Sequence, residues 1–385
     1  MSEPSPITPP TGVGALFDPI PLGGVTVPNR IAMAPMTRGF SADGVVAPTA
    51  VDYYRRRALG GTGLILTEGI AISEIGARMA SVPQLGAGAA LEAWRPVTAA
   101  VHEAGGAIMA QLWHTGLGRQ RHMAADPAKP SVGPVSIYLP DDSPHAAGGL
   151  YEPGRAMEQE DIDATVDDYA TAAVNAREAG FDGVEVHAAH GYLIDQFLWA
   201  ATNRRGDGYA GDPARRARFG AEVVAEIRHR VGPGFPIGLR FSQWKLPEHY
   251  AVKMVESPSE LERLLTPLVE AGVDFFDAST RRYWEPEFGT GTNLAGWAKR
   301  VTGKPSVMVG SVGLSGPLDP EMRSSEAVAP SADIAAVVRC IESGDVDIVA
   351  VGRAMIVNPD WASRVRSGDT AGLVPWSKAA LATHW

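Results

Sequence analysis

Apolar and polar positions alternate in blocks along the chain: short runs rich in β-branched and other apolar residues, then a turn, then a stretch whose apolar residues recur at helical spacing. Apolar runs of strand length alternating with helical patterns mark βαβ units and a parallel sheet. The strand candidates are Arg30–Met36, Leu64–Ile70, Ala107–Trp113, Gly183–His187, Pro236–Phe241, Val273–Ala278, Pro305–Gly310 and Val346–Val351. Helix candidates fall at about 48–59, 89–104, 159–179, 214–231, 257–271, 291–302, 331–343 and 359–367. The fifth carries its own boundary signals. Ser257 or Ser259 can cap its start, Glu260 and Glu262 suit the positive end of its dipole, and Gly272 stops it. Eight strands each followed by a helix predict an α/β protein with a (β/α)8 TIM barrel; an open doubly wound sheet is the alternative.

Two segments break the rhythm. Residues 12–28 hold Gly and Pro around short apolar pieces, which predicts an N-terminal hairpin closing the barrel floor. Residues 115–156, after strand three, are rich in Pro, Gly, His and Asp and lack a helical period. So long a segment is rarely an idle loop, and it is expected to cap the mouth of the barrel. No linker divides the chain, so residues 1–385 read as one domain.

Composition narrows the class. The chain is 45% apolar and 20% charged, as ordinary globular proteins are, and its net charge is −10. An acidic balance argues against nucleic acid or an anionic membrane surface as partner. No apolar run reaches the roughly 18 residues of a membrane span, and Met1 to Pro10 is Ser/Pro-rich without an apolar signal core. The single cysteine, Cys340, excludes an internal disulfide framework and cysteine-rich zinc or iron–sulfur sites. A cytoplasmic enzyme acting on a small molecule is the expectation, and a homo-oligomer is compatible with it.

In a TIM barrel, chemistry gathers at the strand C-termini. Gly310-Ser311-Val312-Gly313 follows strand seven and Gly352-Arg353 follows strand eight. Small residues there let backbone N–H groups approach a phosphate, and Arg353 adds charge; plain tight turns are the other reading. His187 and His190, three apart at the end of strand four, can donate to a carbonyl oxygen, with the Tyr192 hydroxyl behind them as a proton source. The same histidines could serve a metal-dependent hydrolase, although further ligands are missing and no metal is expected. Arg240 on strand five needs an anion or polar ligand if it points into the mouth. Gln111 and Thr37 bring an amide and a hydroxyl to the same end. Donors around a planar ring with a phosphate tail have the outline of flavin mononucleotide. Gly206-Asp207-Gly208-Tyr209-Ala210-Gly211 matches a dinucleotide fingerprint but follows a polar run where that fingerprint needs a strand.

At this point the sequence resembles the Old Yellow Enzyme family of FMN-dependent NAD(P)H ene-reductases. The likeness runs from about Leu16 to Pro359. It rests on Met33-Ala34-Pro35-Met36-Thr37-Arg38, Thr67-Glu68-Gly69, Gln111-Leu112-Trp113-His114, Val184-Glu185-Val186-His187, His190-Gly191-Tyr192 and Val351-Gly352-Arg353-Ala354 taken together. The resemblance implies that Pro35, Met36, Thr37, Gly69, Gln111 and Arg240 surround the flavin ring of FMN, and that Gly310, Ser311, Gly352 and Arg353 hold its phosphate. It further implies that His187 and His190 bind the carbonyl of an α,β-unsaturated substrate, that Trp113 shapes the pocket and that Tyr192 donates the proton, with NADPH or NADH as electron donor. His190 stands where many relatives have Asn, and Thr37 where one subgroup has Cys. The segment Thr280 to Pro286 is unusually charged and aromatic. Either Tyr283 and its neighbours line the substrate mouth, or Arg281 and Arg282 meet the nicotinamide cofactor's phosphate, or the loop is simply solvated. A barrel that binds a phosphorylated ligand without turnover is the reading from another class.

Overall fold

The structure is a computed structural model and describes residues 12–139, 152–245, 252–315, 328 and 334–384. The Met1–Pro10 tail, the middle of the 115–156 insertion and the first turn expected for the seventh helix lie outside the described residues. Eight parallel strands close into a barrel: β1 (Ile31–Met33), β2 (Leu64–Ala71), β3 (Ala107–Trp113), β4 (Gly183–His190), β5 (Ile237–Lys245), β6 (Phe275–Ser279), β7 (Ser306–Val309) and β8 (Ile348–Val351). Neighbours follow chain order, and β8 pairs with β1 to close the ring. A helix follows each strand, in order α1 (Thr49–Leu59), α2 (Arg95–Glu103), α3 (Gln159–Glu178), α4 (Pro213–Val231), α5 (Pro258–Ala271), α6 (Leu294–Thr302), α7 (Ile334–Glu342) and α8 (Trp361–Ser367). This is the expected (β/α)8 barrel. At α5 the cap is Ser257, whose hydroxyl accepts from the Glu260 N–H at 3.2 Å, and Gly272 ends the helix at φ 114°. Among the described residues no helix is long and apolar enough to cross a membrane.

Strand ends depart from the sequence pattern for local reasons. β1 stops early because the Ala34 N–H makes the last bond, to Val351 O, and Pro35 has no N–H to continue. β4 and β5 run longer than expected, pairing past a register shift between Ala188 and His190 to reach His190 opposite Lys245. That shift carries the histidine and tyrosine segment out of the regular pleat.

Alternation along the strands sorts side chains to the two faces of the sheet. Outward residues such as Ile65, Ile108, Val186 and Leu239 pack beneath the helices. Inward residues from the lower halves, among them Leu64, Leu66, Met109, Phe275 and Ile348, fill the barrel. The hairpin Ile20–Leu22 with Val25–Val27 adds Ile20, Leu22 and Val27 to that inner cluster, so it plugs the N-terminal end as expected. Two glycines make the plug and its filling possible. A Cβ on Gly238 would lie 2.2 Å from the Phe275 ring, and one on Gly24 would lie 2.0 Å from Gly234 O.

The plug predicts a position-specific cost. Gly24→Ala should destabilise by about 1–3 kcal/mol or more, because the colliding atom is backbone and cannot swing away. Gly206→Ala, which meets nothing within 4 Å, should leave the thermal midpoint nearly unchanged. Melting curves of the two variants check this.

Candidate active site

The same alternation that fills the lower barrel with hydrocarbon lines its upper end with polar groups. Gln111, Glu185, His187, Arg240, Asp277 and Ser279 are inward-facing and at most 5% exposed. Register puts Gln111 beside Glu185, His187 beside Arg240, and Arg240 beside Asp277. Gln111 Nε2 donates to Glu185 Oε1 at 2.7 Å, and Arg240 Nη1 stands 3.3 Å from Asp277 Oδ2. Burial, reinforced by Asp277 nearby, holds Glu185 well above the usual carboxylate range. One positive charge therefore faces two carboxyls, and burial disfavours the charged form of both.

Above this layer opens a cavity of about 260 Å³. Its lining includes Pro35, Met36, His190, Arg240, Arg281, Gly310, Ser311, Gly352 and Arg353. At one end Gly310 and Ser311 turn the chain at φ 147° and 54°. Arg353 Nη2 donates to Ser311 Oγ at 3.3 Å. Burial, and then the charge of Arg281, lowers the Arg353 guanidinium to about 10. Among the described residues Arg240 Nε and Arg353 Nη1 are buried without a hydrogen-bond partner, and Arg240 Nη1 has only its ion pair with Asp277. Buried donors left unmet, beside a guanidinium whose charge its surroundings disfavour, describe a site built for an anionic ligand.

Beside the cavity lies an aromatic group. The Trp113 ring stacks on His187 (centroids 6.1 Å, 18°) and meets Tyr192 edge-on at 5.0 Å. The His187 and His190 rings are perpendicular at 5.0 Å, and Trp244 stacks on His190 at 4.3 Å. A side chain at position 69 would strike Trp113, since a Cβ on Gly69 would lie 2.5 Å from its ring. The Ala189 N–H donates to His187 Nδ1 at 3.3 Å, which assigns the imidazole proton to Nε2. His190 Nε2 lies 2.7 Å from Ser279 Oγ, which also accepts from Arg240. Burial first, then the charge of Arg240, pushes His187 well below its usual range. His190 is pushed the same way by burial, then by His187 and Arg240. Both rings are neutral at pH 7, with one N–H each.

Most residues singled out from the sequence meet here, though not in one shell. Pro35, Met36, His190, Arg240, Gly310, Ser311, Gly352 and Arg353 share the cavity wall. Gly69, Trp113, His187 and Tyr192 form the aromatic group beside it, Gln111 is turned to Glu185, and Thr37 is exposed. The segment after β6 divides. Arg281 lines the cavity with its guanidinium 5.3 Å from the Trp244 ring, whereas Arg282 bonds Glu285. Tyr283 is 7% exposed and packs into the core beneath the helices, not into the cavity wall. The Gly206–Gly211 fingerprint lies in the turns between Leu193–Leu198 and α4, with no strand before it. Among the described residues no three His, Cys, Asp or Glu side chains group as metal ligands. The insertion rests on the loops after β2 and β4: Gln120 N–H donates to Arg78 O, and Arg204 reaches Tyr138 O.

Three supporting groups were not singled out from the sequence. Glu68 Oε2 accepts the Arg38 and Gly39 N–H groups at 2.9 and 3.2 Å, fixing the loop after β1, and burial raises its carboxyl to about 7. Asp195 accepts the Gly191 N–H at 2.5 Å and pairs with Lys245 Nζ at 2.6 Å, both side chains fully enclosed. That pair pins the turn between His190 and Tyr192 to the end of β5.

Known proteins were compared with this chain. A model of the NADH:flavin oxidoreductase / NADH oxidase family matches residues 15–371. Chanoclavine-I aldehyde reductase of Penicillium roqueforti is 34% identical over 370 residues, 95% of this chain and 92% of that protein. The Old Yellow Enzyme homologue of Zymomonas mobilis superposes with a TM-score of 0.77 at 30% identity, over 95% of this chain and 96% of that one. Morphinone reductase in complex with tetrahydroNAD gives 0.77 at 29% identity, over 95% and 94%.

The enclosed ion pair yields a test of the scaffold. Lys245→Met leaves Asp195 buried without its cation and should cost about 3–5 kcal/mol of stability. Denaturant unfolding measures it, and Lys245→Met combined with Asp195→Asn should recover part of the loss.

Proposed function

The chain belongs to the NADH:flavin oxidoreductase / NADH oxidase family, the Old Yellow Enzyme family, and is an FMN-dependent NAD(P)H oxidoreductase of the ene-reductase type; on that premise we propose how its residues divide the work. The observation that carries the reading is the cavity with unmet buried donors on Arg240 and Arg353, opening beside two neutral histidines and a tyrosine. FMN suits those donors. Gly310, Ser311, Gly352 and Arg353 would hold its phosphate, Arg240 would supply positive charge along its ring, and Pro35, Met36, Thr37, Gly69 and Gln111 would border that ring. When bound, FMN supplies the two-electron chemistry, accepting hydride from NAD(P)H and yielding it to the substrate.

The substrate class we infer is a small α,β-unsaturated carbonyl compound. As hydride reaches the β-carbon, negative charge grows on the carbonyl oxygen. Two neutral imidazole N–H groups, from His187 and His190, would stabilise that charge in a site walled by Trp113 and Trp244. Tyr192 would give its phenolic proton to the α-carbon. Aldehyde reduction by the Penicillium relative and the tetrahydroNAD complex of morphinone reductase agree with a carbonyl substrate and a nicotinamide donor.

Three outcomes test the reading. The purified protein should show flavin absorption that bleaches anaerobically on adding NADPH or NADH; a colourless protein that takes up no FMN would falsify it. Tyr192→Phe should slow re-oxidation by 2-cyclohexen-1-one about 10²–10⁴-fold, with flavin reduction much less affected. Arg353→Ala should weaken FMN binding at least about 10-fold, as loss of a charge-assisted hydrogen bond requires, read from quenching of flavin fluorescence.

A further inference from the structure

We propose that Arg78, on the loop after β2, is the positioning residue for proton delivery: it orients the Tyr192 phenol and stabilises the negative charge left on its oxygen. The inference rests on Tyr192 being the proton donor.

Arg78 Nη1 donates to Tyr192 Oη at 2.8 Å across 114 residues of sequence. Among the described residues the Arg78 side chain makes no other hydrogen bond and no ion pair, so its only polar contact is this phenol. The ring is 7% exposed and held by Trp113 at 5.0 Å and His187 at 5.2 Å, both edge-on. The Arg78 carbonyl accepts the Gln120 N–H at 3.0 Å, which ties the loop to the capping insertion.

The identity of the partner decides the chemistry. A phenol has one hydrogen to give and two lone pairs, whereas a guanidinium can only donate. A carboxylate or carbonyl at this place would take the hydroxyl hydrogen away from the substrate. Arg78 instead occupies a lone pair and leaves that hydrogen for the α-carbon. Hydride, which bound FMN reduced by NAD(P)H would supply, would add to the β-carbon, and the electron pair of the double bond would move to the enolate. That pair forms the new C–H bond at the α-carbon as the Tyr192 O–H bond breaks. The phenolate so formed lies against the guanidinium, a charge-assisted contact that strengthens as the proton leaves, and water restores the proton.

The test uses four FMN-loaded proteins, wild type, R78M, Y192F and R78M/Y192F, with R78K as the conservative variant. Each is reduced anaerobically with NADPH and mixed with 2-cyclohexen-1-one. R78M should slow re-oxidation about 10–100-fold, the weight of one hydrogen bond to a charged group. It should leave reduction by NADPH within about twofold and lose its effect in the Y192F background, and R78K should recover part of the rate. Melting of the same holoproteins reads the bond without turnover: R78M should lower the midpoint in the Tyr192 background and not in Y192F. An R78M rate near wild type, or an equal loss in both backgrounds, overturns the role of Arg78 and leaves Tyr192 as donor. Full-rate re-oxidation in Y192F overturns the reading of Tyr192, and the inference with it.

Discussion

Arg240 is carried into the barrel by the pleat of β5, two residues above Gly238, and there it is 5% exposed. A guanidinium does not lose its proton on burial, so its surroundings must adapt to it. Asp277 on one neighbouring strand and Glu185 beyond His187 on the other provide the adaptation, with burial disfavouring the charged form of both carboxyls. The same charge, after burial itself, keeps His187 neutral and contributes to keeping His190 so. Burial and this one side chain together thus shape the charge of the inner layer, and its Nε, which has no hydrogen-bond partner among the described residues, favours negative charge in the cavity.

That layer sits on a barrel whose lower half is filled with apolar side chains. The hairpin plug, Phe275 over Gly238 and the aliphatic side chains of the lower strands pack the lower barrel with hydrocarbon. Above, the loops that bear the histidines, the tyrosine and the β1 turn are fixed by buried carboxylates. Glu68 holds two N–H groups after β1, and Asp195, paired with Lys245, holds the turn before Tyr192. Each carboxylate acts on backbone and so fixes the loops that carry these side chains.

The barrel was legible because period is a local property: strand and helix candidates needed only windows of five to twenty residues. The cavity wall was legible for a related reason, since residues at strand C-termini converge whatever the loops do. Legibility failed where a contact spans sequence. Nothing near Lys245 announces its partner 50 residues earlier, and nothing near Arg78 announces Tyr192. Tyr283 sits elsewhere than its segment suggested. Its charged and exposed neighbours marked it as mouth-lining, but its N–H bonds Gly310 O and its carbonyl takes Asn293 Nδ2, which turns the ring into the core.

Neutral histidines beside a permanent cation would make, on the proposed reading, a particular kind of oxyanion site. Imidazolium at position 187 would hold a carbonyl more tightly before reaction, yet it would stand next to Arg240 in a medium that screens little, and burial forbids it. A neutral N–H binds the uncharged carbonyl weakly and the developing oxyanion strongly, so its contribution appears where it raises the rate. Such a donor is effective only if water cannot compete. The aromatic faces supply that exclusion, Trp113 on His187 and Trp244 on His190. On the proposed reading, charge, burial and aromatic walls would act as one device, in which burial and a fixed cation keep the histidines neutral and the rings shield the protons they would offer to a substrate.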